Sequence, residues 1–316
     1  MTASPSTSAD STEPAESFTA PAPRPSALAR ARTLWFNRRI LRVLIVRDLK
    51  LRYSNSVLGF AWTLLDPLLL AMVYWFVFGV IIGRGAVDEQ PYILWLLTGL
   101  LPFQWTAHVL GDSGRLLGSD AKLVTAANLP REVWVLRSVS SRFVEFLFTL
   151  PITVAVMALF LIFTDYDVVP SAWLLIIPLV FVVQFVFNIG LMLGLSPLCT
   201  LYPDVHRVVK AFSRLYRYLS PVVYGVAFLE TVLSDPEKSW PSWMLFGNET
   251  WPQWLMGVYA LNPLAGILNA YHAVFFPDNA DNVLLLLGVS TVLSVLGFVF
   301  GWRLFMRLEP RVLKEL

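Results

Sequence analysis

The sequence predicts an all-α membrane protein with six transmembrane helices, and three observations predict it. Apolar residues make up 56% of the chain and charged residues 15%, with a mean hydropathy of +0.63; an average soluble chain carries roughly 25% charged residues. Several stretches run about 20 residues almost without charge, the length a helix needs to cross the hydrocarbon of a bilayer. They lack the polar–apolar alternation of barrel strands, so only helices satisfy their backbone groups in lipid. The third observation is charge placement. Of the 24 Lys and Arg residues, 22 fall in segments that a cytoplasmic amino terminus puts inside; only Arg84 and Lys238 fall outside. The outer connections carry acids such as Asp88, Glu89, Asp165 and Asp167. The positive-inside rule then places both termini in the cytoplasm.

Residues 1–33 are rich in Ser, Thr, Ala and Pro with no apolar run. Such a composition buries too little surface to offset its ordering entropy, which predicts a disordered cytoplasmic tail. Residues 34–56 read as a basic, imperfectly amphipathic helix. Phe36, Ile40, Val43, Leu44 and Leu51 share one side at helical spacing, with Arg47 intruding, and Asp48 and Arg52 form an i,i+4 pair. A helix of this kind lies in the headgroup plane of the cytoplasmic leaflet.

The membrane domain is read as 57–310, with spans at about 57–82, 92–110, 143–163, 172–198, 211–227 and 283–305. In the first, Asp66 and Pro67 have the character of a cap and a first helical residue. They predict a short helix over 57–65 and a fresh start at Asp66. Pro102 predicts a kink in the second. The fifth carries Arg214 and Arg217 in its first turns. Between the fifth and sixth, residues 228–282 hold an apolar run interrupted at Asn262–Pro263. A crossing there would put Arg303, Arg307, Arg311 and Lys314 outside, so two short re-entrant helices dipping from the outer face are predicted. Broken backbone at that depth requires a protein or wet surround. Residues 311–316 are left as a cytoplasmic carboxy terminus.

The chemistry that can be excluded is considerable. Cys199 is the sole cysteine, and His108, His206 and His272 lie far apart, so no metal cluster is predicted; each histidine reads as a lone interface or loop residue. Asp66 and Glu145, the latter one turn from Arg142, read as structural. No phosphate-loop motif G-x-x-x-x-G-K-[ST] occurs, so any ATP-driven motor is a separate chain. No acids, histidines or nucleophiles show catalytic spacing. What the spans offer is aromatic: Trp62, Tyr74, Trp75, Phe76 and Phe78 in the first, Tyr216, Tyr218 and Tyr224 around the fifth. Aromatic rings suit interfacial belts, and they also suit the apolar faces of sugars.

Arg47-Asp48-Leu49-Lys50, Arg52-Tyr53, Ser56-Val57-Leu58-Gly59, Trp62 and Asp66-Pro67-Leu68 together resemble the opening signature of ABC-2 type membrane subunits. The resemblance is to those exporting O-antigen polysaccharide, teichoic acid and related lipid-linked glycans such as cell-wall galactan. It continues through Asn128-Leu129-Pro130-Arg131-Glu132, Tyr202-Pro203-Asp204-Val205, Leu219-Ser220-Pro221-Val222-Val223-Tyr224 and Leu261-Asn262-Pro263-Leu264-Ala265, over about 36–310. Two positions depart from the pattern: Pro203 and His272 stand where the family usually has Arg.

The resemblance implies a multi-pass protein of the bacterial plasma membrane, paired with a second copy of itself and two copies of an ATPase that binds ATP and Mg. No cofactor is implied in this chain. The helix near 36–53 would be an interface helix, and 57–65 would gate the entrance with Trp62, Asp66 and Pro67. The connection from Ser119 to Ala127, with Ser119, Asp120 and Lys122, would be a coupling helix seated on the ATPase. Asn262 and Pro263 would belong to an outer gate. The substrate would be a polymer on a polyprenyl diphosphate, with Arg47, Lys50 and Arg52 placed to receive the diphosphate and Tyr74, Phe78 and Tyr224 assigned to the glycan path. Two competing readings stay open: an ABC-2 exporter of a small lipid or drug, and a membrane-embedded glycosyltransferase or acyltransferase.

Overall fold

The structure, a computed structural model, describes residues 32–33, 36–54, 56–81, 86–87, 90–119, 130–164, 169–226, 257, 259–279 and 282–315. Residues 1–31 of the predicted tail, most of the coupling connection and residues 228–256 of the re-entrant stretch lie outside the described residues. Within them the chain is almost wholly helical: α1 (Arg38–Tyr53), α2 (Trp62–Tyr74), α3 (Tyr92–Ser113), α4 (Leu116–Ser119), α5 (Glu132–Phe163), α6 (Ile177–Leu201), α7 (Pro203–Leu219), α8 (Pro263–Ala273) and α9 (Val283–Glu315). A short ladder pairs Ala86 with Pro91 and Val87 with Gln90, antiparallel.

Five helical stretches are long and apolar enough to cross a membrane: Gly59–Ile81, Tyr92–Ser113, Glu132–Phe163, Ala172–Leu201 and Val283–Glu315. α3 is the central one. Of its most apolar stretch 78% is buried inside the protein, against 11% in the first span. The first span, α5 and α6 pack on α3, while α9 packs on α6 and α8; all leave apolar side chains outward, as a lipid surround demands. α5 and α9, at 32 and 33 residues, are about 50 Å long at 1.5 Å per residue and overshoot the hydrocarbon. The predicted terminus 311–316 is therefore the continuation of α9 up to Glu315.

The predicted break at Asp66–Pro67 is corrected. A 3₁₀ turn over Gly59–Ala61 leads into α2 at Trp62, and Asp66 and Pro67 both lie inside that helix. Proline in the second turn forfeits one hydrogen bond without ending the helix. The regular α-helix gives way later, at Trp75, to a π-helical stretch ending at Ile81.

The predicted fifth span at 211–227 is also corrected. The helix there begins at Pro203, where proline at the first position and Asp204 in the first turn form a start signal. It ends at Leu219, and Ser220–Val223 form a turn. α7 is too polar to join the five apolar stretches, yet it packs along the carboxy-terminal half of α3, and the turn after it reaches the start of α3. His206 adjoins Gly114, Tyr216 packs on Phe103 with ring centroids 6.1 Å apart, and Tyr92 donates to the Val223 carbonyl at 2.9 Å.

α6 and α9 form the most extensive helix pair, and glycine explains why. A Cβ on Gly190 would sit 2.7 Å from the Phe298 backbone, and one on Gly301 would strike the Gly190 carbonyl. Small residues bring membrane helices into backbone contact where no hydrophobic drive exists between them.

Candidate functional site

At the end of the bundle where α1 packs, one cluster of charge ties four elements together. Arg52, near the end of α1, donates to Glu145 at 2.7 Å, to Asp48 at 3.0 Å and to Asp112 at 3.3 Å. Arg142 of α5 grips Asp112 of α3 with two bonds of 2.6 and 2.8 Å, and donates to Glu145 at 2.8 Å. The Tyr53 hydroxyl donates to Glu145 at 3.1 Å and accepts from Thr63 of α2 at 2.8 Å. Burial holds the Tyr53 hydroxyl above its ordinary phenol pKa, so it stays a donor. Phe60 wedges between Tyr53 and Phe148, centroids 5.3 and 4.9 Å away, and fixes the 3₁₀ turn against α5. Half-buried charges of this kind persist only because each finds several partners.

Above the cluster opens a cavity of about 340 Å³ between α2, α3 and α5, lined by Trp62, Asp66, Pro67, Gln104, His108 and Thr149 as well as Arg142 and Glu145. Asp66 and His108 are exposed to it, and neither makes a hydrogen bond or ion pair among the described residues. A polar cavity in a membrane domain with uncommitted hydrogen-bonding groups has room for several waters or for a polar ligand group.

The half of the bundle away from that cluster is organised around α8, which starts at the depth of Tyr216 and runs on to the level of Trp95. Asn262 caps it: its Oδ1 accepts from Leu264 N at 3.0 Å and from the Tyr216 hydroxyl at 2.6 Å, while its Nδ2 donates to the Leu219 carbonyl at 3.0 Å. Pro263 takes the first helical position. Near the other end His272 stacks on Trp95, centroids 3.8 Å apart, and bonds Thr98 at 2.8 Å and the Pro221 carbonyl at 2.9 Å. His272 is thus a buried tie between α3, α8 and the Ser220–Val223 turn, not a loop residue.

The other predicted site residues are placed as follows. Arg47 is half-buried and Lys50 exposed on α1, whose Val43 and Leu51, with Phe36 just before it, stay exposed for want of cover within this chain. Arg52 does not stand with them toward lipid headgroups, because its guanidinium is committed to three carboxylates. Trp62 opens α2 and Pro67 is buried beneath the cavity. Tyr74 and Phe78 pack 6.1 Å apart, and Phe78 reaches Tyr92 at 6.5 Å. Tyr224 donates to the Tyr218 carbonyl at 2.8 Å. Ser119 closes α4; Asp120 and Lys122 lie outside the described residues. Among the described residues no group of His, Cys, Asp or Glu is placed to hold a metal.

Sequence reasoning missed Asp112 as a partner of Arg142 and Arg52, the Tyr216–Asn262 bond, and the links of His272. Those contacts join residues 30 to 177 apart, and no local spacing signals them.

No family model matches the chain. It is similar, however, to curated proteins along most of its length. It is 29% identical over 276 residues to an O-antigen export system permease protein RfbA of Klebsiella pneumoniae, covering 86% of this chain and 93% of that one. A second Klebsiella pneumoniae protein of the same name is 30% identical over 261 residues, 82% and 89% of the two chains. A Myxococcus xanthus O-antigen export system permease protein RfbA is 27% identical over 266 residues, 83% and 91%. With five apolar helical stretches and similarity of this extent to permease proteins, the chain belongs to the ABC-2 type O-antigen export permease family and is a multi-pass transport component rather than an enzyme.

Proposed function

We propose that this chain is the membrane subunit of an ATP-driven exporter that moves a polyprenyl-diphosphate-linked cell-envelope polysaccharide, galactan or O-antigen-like, from the cytoplasmic to the outer face of the plasma membrane. Six crossings are assigned to each subunit, α7 supplying the sixth, with both termini cytoplasmic. The observation that carries the reading is the similarity to O-antigen export permeases over 93% of the length of one of them. The polar cavity at the inner end of α2, α3 and α5 supports it, since a glycan needs hydroxyl partners where a drug-sized apolar cargo does not.

The roles are assigned as follows. Arg47 and Lys50 on α1 meet the diphosphate at headgroup level, while Arg52 locks α1 to α3 and α5. Trp62, Asp66 and Pro67 shape the entrance. Tyr74, Phe78 and Tyr224 border the glycan path, and Asn262 and Pro263 set the outer gate. The chain carries no phosphate-loop motif, so ATP and Mg are assigned to two copies of a separate ATPase, seated on Ser119, Asp120 and Lys122 beneath a dimer of this chain. Depleting the chain tests the reading. Polyprenyl-linked glycan should accumulate inside and be identified by mass spectrometry; unchanged surface polysaccharide with no such accumulation would overturn it.

A further inference from the structure

α7 carries its charge in a pattern that its position makes costly. Arg207, Lys210, Arg214 and Arg217 follow at steps of three, four and three residues, which aligns them on one face over about 15 Å of helix. Arg207 has a counter-ion, Asp204 at 3.2 Å, at the exposed inner end. Beyond it the compensation stops. Lys210 and Arg214 are exposed, and Arg214 finds only the Lys210 carbonyl at 3.5 Å. Arg217, lying 5.7 Å over the Phe103 ring, reaches the Tyr74 hydroxyl at 3.4 Å and keeps a buried Nε with no acceptor. No carboxylate among the described residues pairs with any of these three.

α7 nevertheless runs beside the most buried span, α3, to the level of Phe103, near the middle of that span. Uncompensated cations at membrane depth face water, a partner charge or a transported ion, because hydrocarbon excludes them. Lipid therefore does not cover this face. Its upper end meets Tyr74 of the first span, one of the rings assigned above to the glycan path.

We propose that Lys210, Arg214 and Arg217 form an anion rail on α7, along which the diphosphate of the substrate moves from the inner mouth toward the middle of the membrane. The inference rests on the export reading and deepens it. In a neutral glycan joined to a hydrocarbon lipid, the diphosphate is the part that lipid rejects on charge. A row of guanidinium and ammonium donors, each handing on to the next one helical turn higher, offsets that rejection by charge-assisted hydrogen bonds.

The test uses the full permease–ATPase complex in phosphatidylcholine nanodiscs, with undecaprenyl diphosphate and undecaprenol as probes. Native mass spectrometry counts bound lipid, and inorganic diphosphate serves as competitor. The wild type should hold the diphosphate lipid in preference to the alcohol. The triple variant Lys210→Gln, Arg214→Gln, Arg217→Gln should lose about 10- to 100-fold in affinity for the diphosphate lipid and bind the alcohol as before. Competition by inorganic diphosphate assigns the contact to the anion alone; its failure assigns it to the lipid-borne headgroup, and both support the rail. Unchanged affinity in the triple variant overturns it. So does dissociation of the complex in both the triple variant and Arg214→Gln, which would make this face a contact between copies. A depletion experiment without lipid-linked glycan would sink the export reading instead, leaving the binding result to judge the rail.

Discussion

Arg142 and Asp112 form a two-point pair, Nε to Oδ2 at 2.6 Å and Nη2 to Oδ1 at 2.8 Å, that clamps α5 to α3 beneath the polar cavity. The third donor of Arg142 goes to Glu145 at 2.8 Å. Arg142→Ala leaves two mostly buried carboxylates with Arg52 as their shared cation, a loss of about 3–5 kcal/mol. Arg142→Lys should recover little of it, since an ammonium cannot reproduce the planar fork. Thermal unfolding in detergent checks both; a full rescue by lysine would contradict the two-point geometry.

Asp66 presents the opposite expectation. It lies inside α2 and makes no described bond, so Asp66→Ala should leave stability within about 0.5 kcal/mol. A true helix cap would be less forgiving, costing about 1 kcal/mol on replacement by Ala. Export should fall while the melting temperature holds. A lower melting temperature with normal export would return Asp66 to a capping role.

Asn262 ties the end of α7 to the start of α8 through Tyr216, Leu219 and Leu264. Tyr216→Phe removes one of those bonds and should cost about 1 kcal/mol. Asn262→Ala removes them together and should cost more. A double-mutant cycle should return a coupling of about 0.5–1.5 kcal/mol; additive losses would show that the 2.6 Å bond contributes nothing of its own.

Glycines on α6 and α9 separate by environment. Gly190→Ala places a methyl 2.7 Å from the Phe298 backbone, which cannot rotate away, and should cost about 1–3 kcal/mol. A Cβ on Gly297 meets nothing within 4 Å. Gly297→Ala should therefore be neutral or stabilise α9 by up to about 1 kcal/mol. Equal effects at the two positions would argue against the close α6–α9 approach.

How much of this was legible in the sequence depends on the range of the interaction. Asp48–Arg52 and Arg142–Glu145 are one turn apart and were readable as pairs. Asp112, their common neighbour, is 30 and 60 residues from its partners, and only tertiary packing brings it in. Asp66–Pro67 carries a cap-like pattern, but the helix has already begun at Trp62, and a second-turn proline costs it one bond. The fifth segment was misplaced because the apolar window 211–227 outweighed a local signal. Pro203 and Asp204 mark a helix start, and the polar face that follows lowers the hydropathy without preventing the helix from following α3. His272 looked isolated because Trp95, Thr98 and Pro221 are 51 to 177 positions away in the chain.

The central claim is that this chain, with a separate ATPase, carries a lipid-linked glycan outward. It is tested most directly in proteoliposomes holding the permease–ATPase complex, by following the appearance of polyprenyl-diphosphate glycan on the far leaflet with an impermeant lectin. The account predicts lectin access that requires ATP and is lost when the ATPase is omitted. Access that develops equally without ATP, or no access with an active ATPase, would contradict it.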